Sequence, residues 1–271
     1  MDSVFKKTHW DYIKDKLPPE GVVSLEEAFA LLDKNGHARR SAIDDTCLIY
    51  TGILVGANMA GYSMPVYAFN KELLKDLFKI PNLPDLSFFN NKTFSKPFII
   101  PKAPEYSDIS MALFDVADIL PFSGNYAKWV YVFYSEKCID FIYVNKDDEL
   151  IGTTGIDRNI AITQQELDNE NSVIKKTLSC LIYLMSGSPD LRVCLPVERK
   201  YKGSNVKKLR RQDQYTDCNV IQVGYGWLKE RQRLVGECSV SGHFRWQPYG
   251  EGRTKVKLIW INQYTKVFKK E

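Results

Sequence analysis

Four apolar runs separated by very short polar segments place the tightest constraint on the fold of this chain. The runs are Asp108–Val116, Ala127–Tyr134, Cys138–Asn145 and Glu149–Thr153. Ser135–Lys137 and Lys146–Asp148 are compact turns, just long enough to reverse the chain between runs. Strands joined by such short turns pair with their neighbours in an antiparallel sense. The pattern therefore predicts an antiparallel meander.

Helix and strand signals also precede the meander. Ser24–Glu27 matches a capping box, and an apolar helix face follows in Leu25, Ala28, Phe29 and Leu32. A second helix is predicted to open at Ser41 and to run through Cys47–Ala57. Tyr62–Phe69 has the pattern of a strand. Asn70 is then predicted to cap a short helix that carries Leu73, Leu74, Leu77 and Phe78.

The clearest long helix is predicted after the meander, over Val173–Ser186. One face of this segment is apolar, and it consists of Leu178, Leu181, Ile182 and Met185. Gly187 ends the helix, and Pro189 prevents its continuation. Two further strands are predicted at Asn219–Val223 and Val256–Ile261.

These elements predict an α+β fold. N-terminal helices and an antiparallel sheet come first, then a long helix, a basic linker and a small β-rich C-terminal module. The predicted domain boundaries give an α+β domain over residues 1–194, a basic linker over residues 195–217 and a basic β-rich module over residues 218–271.

The composition argues against several classes of protein. Hydrophobic residues make up 44% of the 271 residues and charged residues 26%, which is ordinary for a folded protein and not for a disordered or fibrous one. The six cysteines include no C-x-x-C pair and only three histidines occur, so no metal or cofactor is expected. The absence of an export signal and of an apolar run of ~18–20 residues predicts a cytoplasmic protein with free thiols and no membrane contact.

Positive charge is concentrated in the last third of the chain. From Leu195 onward there are 17 Lys and Arg residues and 7 Asp and Glu residues, whereas the first 194 residues hold 20 and 26. The net charge of +4 thus combines about +10 in the last third with about −6 before it. Such an asymmetry indicates a polyanionic partner, and nucleic acid is the first candidate.

The residues that best fit a nucleic-acid site lie in Ser241–Arg253 and Lys255–Ile261. Arg and Lys neutralise phosphates, and aromatic rings such as those of Trp246 and Tyr249 stack on unpaired bases. In the segment 255–258, strand alternation places both lysines on one face. The predicted nucleic-acid-binding residues are Arg210, Arg211, Arg245, Trp246, Tyr249, Arg253, Lys255 and Lys257.

Three functions remain open from these residues. The first is RNA binding without catalysis. The second is a metal-independent, toxin-like ribonuclease, in which His243 acts as general acid or base and Arg245, Arg253 or Lys257 stabilises the phosphorane charge. The third is a protein–protein interaction module without RNA binding. Of these functions, the sequence favours those without catalysis.

Three regions of the chain resemble the second type V-A anti-CRISPR family and its relatives on phages and plasmids. The first runs from Tyr62–Phe69 through Leu77 to the proline-rich loop that ends at Leu86. The second joins Tyr183–Leu191, the basic segment and Val220–Gly224. The third comprises Val240–Trp246, Tyr249–Gly250 and Lys257–Ile261.

The resemblance implies a translation-coupled silencer. The best-known member of that family recognises the nascent N-terminal peptide of the type V-A CRISPR nuclease and triggers loss of the mRNA being translated. We therefore expect a mobile-element-encoded anti-defence regulator that binds a protein or nascent peptide and engages RNA through its basic C-terminal third. An exposed strand edge at Tyr62–Phe69 is the expected peptide site, by addition of a strand.

Overall fold

The computed structural model describes eleven stretches of the chain: residues 6–16, 54, 64–80, 83–84, 109–157, 172–187, 189–194, 218–228, 237–240, 242–250 and 255–267. These contain α-helices α1 (His9–Lys16), α2 (Lys71–Leu77) and α3 (Val173–Met185) and a short 3-10 helix at Tyr225–Leu228. The strands are β1 (Val66–Phe69), β2 (Ser110–Phe122), β3 (Asn125–Tyr134), β4 (Cys138–Val144), β5 (Leu150–Asp157), β6 (Leu191–Cys194), β7 (Val220–Val223), β8 (Glu237–Val240), β9 (His243–Tyr249), β10 (Lys255–Ile261) and β11 (Tyr264–Val267). The predicted α+β class is confirmed.

A seven-stranded mixed sheet dominates the fold, with strand order β5-β4-β3-β2-β1-β7-β6. Strands β2 to β5 form the predicted meander, with antiparallel pairing at each step. The prediction of a wholly antiparallel sheet is wrong, because β1 pairs parallel to β2, with Val66 opposite Leu113. The connection between these two strands contains α2 and is long enough to return the chain to the same end of the sheet, as parallel pairing requires.

Strand β1 lies inside the sheet and is paired on both sides. The Val66 N–H donates to the Asn219 carbonyl at 3.2 Å, and the Asn70 N–H donates to the Val223 carbonyl at 2.9 Å. The expected exposed edge at Tyr62–Phe69 is therefore wrong for its described part, because β7 and β2 occupy the two edges of β1.

The core beneath the sheet includes helix α1, which the sequence analysis did not predict. Trp10 and Ile13 of α1 are buried. They pack with residues from five strands and from the segments beside them: Leu54, Met64, Val66, Ile109, Met111, Leu113, Trp129, Tyr131, Phe133, Ile142, Val144, Cys218 and Val220. Burial of so many large apolar side chains stabilises this part of the chain, since each contributes roughly 1.5–3 kcal/mol.

Helix α1 begins with a reciprocal capping arrangement. The Thr8 N–H donates to the Asp11 carboxylate at 2.7 Å, and the Asp11 N–H donates to the Thr8 hydroxyl at 3.3 Å. Two backbone donors of the first turn are satisfied in this way. The helix is thus fixed at its N-terminus by its own side chains.

Helices α2 and α3 confirm their predicted positions. The Asn70 side chain caps α2, and Leu73, Leu74 and Leu77 are buried as expected. The Ser172 hydroxyl caps α3 by accepting from the Lys175 N–H at 3.4 Å. On the predicted apolar face of α3, Leu178, Leu181 and Ile182 are buried and Met185 is half-buried.

Two compact units divide the chain. The first consists of residues 1–68, 93–161 and 192–222, and the second of residues 69–92, 162–191 and 223–271. The predicted helices at residues 24–32 and 41–57, apart from Leu54, and the linker 195–217 lie outside the described residues. The predicted domain boundaries stay a prediction. No helix in the described part of the chain is long and apolar enough to cross a membrane.

Candidate nucleic-acid interface

Strands β9 and β10 form a regular antiparallel hairpin in the second unit. His243 pairs with Ile261 at one end, and Tyr249 pairs with Lys255 at the other. Gly250 follows β9 with a φ of 83°, a backbone conformation that favours glycine. Because successive side chains of a strand point to opposite faces, this register decides which candidate residues lie together.

One face of the hairpin collects most of the predicted cationic residues. It is formed by the odd-numbered positions of both strands, and we call it the basic face: His243, Arg245, Gln247, Tyr249, Lys255, Lys257, Ile259 and Ile261. Arg245, Tyr249, Lys255 and Lys257 are exposed. Neither strand contains an Asp or Glu residue. The exposed part of the basic face therefore carries positive charge that no carboxylate of the hairpin strands neutralises.

The opposite face is apolar and includes Trp246. The even-numbered positions form this apolar face: Phe244, Trp246, Pro248, Val256, Leu258 and Trp260. Trp246 is 52% exposed but points away from Lys255 and Lys257. The structure thus brings together four of the predicted binding residues and separates Trp246 from them. Arg210, Arg211 and Arg253 lie outside the described residues.

Tyr249 has two lysines as neighbours on the basic face. It lies directly opposite Lys255, and the Lys257 Nζ is 5.5 Å from the centre of its ring. Nearby, the Arg245 guanidinium donates to the Gln247 side-chain oxygen at 3.3 Å. The Lys257 ammonium therefore lies close to the exposed aromatic ring, which suits a base that stacks beside a phosphate.

Trp260 anchors the end of the hairpin that contains His243 and Ile261. The Trp260 ring packs edge-on against Phe244 at 5.0 Å and against Tyr183 of α3 at 5.7 Å between ring centres. The Gly187 N–H donates to the Leu258 carbonyl at 2.6 Å. These contacts bury one end of the hairpin and leave the end with Tyr249 and Lys255 exposed.

His243 lies at the anchored end of the basic face and is half-buried. It pairs with Ile261, whereas Lys257 pairs with Gln247, four positions along the strand. Four residues of an extended strand span about 13 Å, so His243 and Lys257 lie about that far apart along the hairpin. His243 and Lys257 would therefore contact different nucleotides of a bound strand, and Arg245 is the cation nearest to His243 in the register.

A second polar cluster lies in the first unit, and the sequence analysis missed it. The Cys218 Sγ is 3.7 Å from the Lys14 Nζ and 3.7 Å from an Asp11 carboxylate oxygen. Lys14 and Asp11 form an ion pair at 3.3 Å. The His9 Nδ1 is hydrogen-bonded to the Tyr131 hydroxyl at 2.8 Å, and both residues are buried.

Burial raises the pKa of Tyr131 well above its usual value, and Asp11 and Asp148 raise it further. Tyr131 is thus a neutral phenol throughout the physiological range. The cluster unites side chains from α1, from β3 and from Cys218, two residues before β7, and these are up to 207 positions apart in the chain. Only Thr8 and Asp11, with the spacing of a capping box, could have indicated part of it from the sequence.

The described residues contain no group of side chains that could hold a metal ion. Within the same residues, no disulfide links the described cysteines Cys138, Cys180, Cys194 and Cys218.

No protein-family model matches the sequence, and no curated protein is significantly similar to it. Among solved structures, the chain is similar to the crystal structure of AcrVA2, with 17% identical residues and a TM-score of 0.49. This alignment covers 94% of the present chain and 92% of the other. A likeness at this identity and TM-score assigns neither a family nor an activity to the chain.

Proposed function

We propose that the chain binds single-stranded RNA on the basic face of the β9–β10 hairpin. The observation that carries the proposal is the cluster of exposed Arg245, Tyr249, Lys255 and Lys257 on one strand face, in a hairpin whose strands lack carboxylates. Lysine and arginine gain affinity for RNA by releasing counterions from phosphates. Stacking of a base on an aromatic ring contributes about 1–3 kcal/mol and does not depend strongly on base identity.

The exposed end of the hairpin favours a single strand over a duplex. A base can stack on Tyr249 only when it is unpaired, because the faces of paired bases are covered by their neighbours. Lys255 and Lys257 lie on the same strand two residues apart, so they can contact phosphates on either side of that base. The expected specificity is therefore for unpaired RNA with little sequence preference.

The wider role that we propose is an anti-defence regulator encoded by a mobile element. It would recognise a protein or nascent peptide and use the hairpin to engage an mRNA or ribosome-associated RNA, so that expression of the target falls. This role rests on the resemblance of the three sequence regions. The hairpin supplies the RNA-binding part of the proposal.

The first experiment measures binding of the full chain to a labelled single-stranded RNA at several salt concentrations, with a chelator present. We expect Lys255→Ala/Lys257→Ala to weaken binding and to reduce the slope of log K against log salt by about 1.4, since each phosphate contact to a single strand contributes about 0.7. Lys71→Ala/Lys79→Ala is the matched control, because it removes two exposed lysines from another part of the second unit.

The two exposed aromatic residues of β9 provide a sharper comparison. Tyr249→Ala should weaken binding about tenfold or more, because it removes the stacking ring. Trp246→Ala removes a ring of similar exposure from the opposite face and should leave the affinity unchanged. An equal effect of both substitutions, or affinity that does not depend on salt, would contradict the proposed interface. Shortened RNA that disappears with His243→Ala would instead support the ribonuclease alternative.

A further inference from the structure

We propose that the basic face selects RNA over single-stranded DNA, and that Gln247 determines this specificity by donating a hydrogen bond to a ribose 2′-OH. The inference rests on the proposed RNA-binding function and adds to it the sugar that the site recognises. Two observations carry it: the place of Gln247 among the cations of the hairpin, and the orientation of its amide group.

Gln247 lies at the centre of the basic face. It is placed between Arg245 and Tyr249 on β9, and it pairs directly with Lys257 on β10. The Gln247 side chain is half-buried, whereas these three neighbours are exposed. A nucleic-acid strand that contacts the exposed residues therefore passes over the Gln247 amide.

The contact with Arg245 fixes the orientation of the amide. The Arg245 guanidinium donates to the Gln247 Oε1 at 3.3 Å. A guanidinium has only donors, so the atom that faces it must be the amide oxygen and not the nitrogen. The Nε2 group, which carries two N–H donors, is consequently directed away from Arg245.

The cations around Gln247 cannot accept a hydrogen bond from this nitrogen. Arg245, Lys255 and Lys257 carry donors alone, and neither strand of the hairpin contains a carboxylate. Gln247 thus presents a neutral donor among positively charged donors. A ligand that brings oxygen acceptors to this face satisfies all of them, as RNA does.

The ribose is the part of the RNA that the Gln247 donor would meet. Phosphates pair preferentially with the lysines, because hydrogen bonds between ionised groups are roughly twice as strong as neutral ones. The Lys257 Nζ is 5.5 Å from the centre of the Tyr249 ring, on which the base stacks. Since a ribose joins base to phosphate, it lies between these two residues, and Gln247 adjoins both of them.

The 2′-OH is the group of this sugar that DNA lacks. Its oxygen can accept a hydrogen bond from an amide, and contacts of this kind allow a protein to distinguish RNA from DNA. In a complex with DNA, the Gln247 donor would lose its partner. One hydrogen bond of ordinary strength corresponds to about three- to tenfold in affinity.

The test compares binding of the full chain to two labelled single strands of the same sequence, one of RNA and one of DNA with deoxyuridine in place of thymidine. The two strands then differ only in the 2′-OH. We expect the RNA to bind about three- to tenfold more tightly at low salt. Gln247→Met keeps the length of the side chain but removes the amide, so it should lower the RNA affinity to that for DNA and leave the DNA affinity unchanged.

Gln263→Met is the matched control. Gln263 is also half-buried and lies between β10 and β11, outside the two strands of the hairpin. This substitution removes the same amide group from a position off the basic face. It should change neither the RNA affinity nor the DNA affinity.

The possible failures of the two proposals are distinguishable. Equal, salt-dependent binding of RNA and DNA to the unsubstituted chain would overturn the role of Gln247 and leave the nucleic-acid interface in place. An equal loss of both affinities in Gln247→Met would show that the residue only supports the hairpin, and would also overturn the inference. If neither strand binds, the proposed function fails and this inference fails with it. The comparison of RNA with DNA on the unsubstituted chain decides the matter even if the Gln247 variant does not fold.

Discussion

The buried hydroxyl of Tyr183 makes the stability of the second unit sensitive to alkaline pH. Burial raises the pKa of Tyr183 to about 12, while the hydrogen bond from the Asp190 N–H at 2.9 Å lowers it and the Asp190 charge raises it. In the unfolded chain the pKa of tyrosine is about 10. The unfolded state therefore loses its proton first, and this contribution to stability, fully present below pH 10, falls as the pH rises towards 12.

The expected size of this effect at pH 11 is about 1.4 kcal/mol relative to pH 8. Urea denaturation of the unsubstituted chain and of Tyr183→Phe at both pH values measures it. The difference between the two proteins removes the contribution of the other tyrosines, including Tyr131. An identical loss of stability in both proteins would show that Tyr183 does not titrate as its burial requires.

The location of an individual site residue could be predicted only where the alternation of side chains along a strand decides which face it occupies. Alternation placed Lys255 and Lys257 on one face, and the structure agrees. The same alternation, counted from His243, places Trp246 and Tyr249 on opposite faces, whereas both were predicted to bind RNA only because they are aromatic. The contact between Lys14 and Cys218 has no local signal, because 204 positions separate the two residues and only the packing of α1 brings them together.

At the scale of elements, Asn70 joins a strand to a helix. Its side-chain oxygen accepts from the Glu72 N–H at 2.8 Å and the Leu73 N–H at 3.3 Å, while its own N–H is bonded to Val223. Asn70→Ala removes the cap but keeps the backbone bond, so we expect a loss of about 1 kcal/mol of unfolding free energy. Asn70→Asp keeps the acceptor and adds a charge that the helix N-terminus favours.

Urea midpoints of the two variants check this prediction. Asn70→Asp should unfold close to the unsubstituted chain, and Asn70→Ala at a clearly lower urea concentration. If both variants lose the same stability, the amide group of Asn70 acts through some contact other than the cap.

Elements with strong local signals were predicted well. The meander followed from short turns, and α2 and α3 followed from caps and apolar periodicity. Helix α1 was missed although Thr8 and Asp11 have the spacing of a capping box, because its eight residues are too few to establish a clear apolar period. Strand β2 extends beyond its predicted end through a bulge in which Ala117 and Asp118 have φ values of 54° and 56°, a conformation that is rare for alanine and was not predicted.

At the scale of the whole molecule, the large sheet is assembled from distant parts of the chain. Its meander is local and was predicted, but β1, β6 and β7 come from residues 66–69, 191–194 and 220–223. Sequence patterns indicate that a strand exists but not which partner it takes, since pairing over such separations depends on the packing of the complete core. Local sequence patterns therefore could not predict that the sheet contains both parallel and antiparallel pairs.

The position of β7 predicts what happens when the chain is cut within the predicted linker. A specific protease site introduced in residues 195–217 would divide the chain, yet β7 lies between β1 and β6, both of which belong to the N-terminal piece. Because Val220 is buried in the core, the two pieces should stay associated and elute together in size-exclusion chromatography. Val220→Asp places a charge in that core and should weaken the association of the pieces after cleavage, while the contacts of Trp260 with Tyr183 and of Gly187 with Leu258 still join them. Separation of the unsubstituted pieces would show instead that residues 218–271 form an independent module.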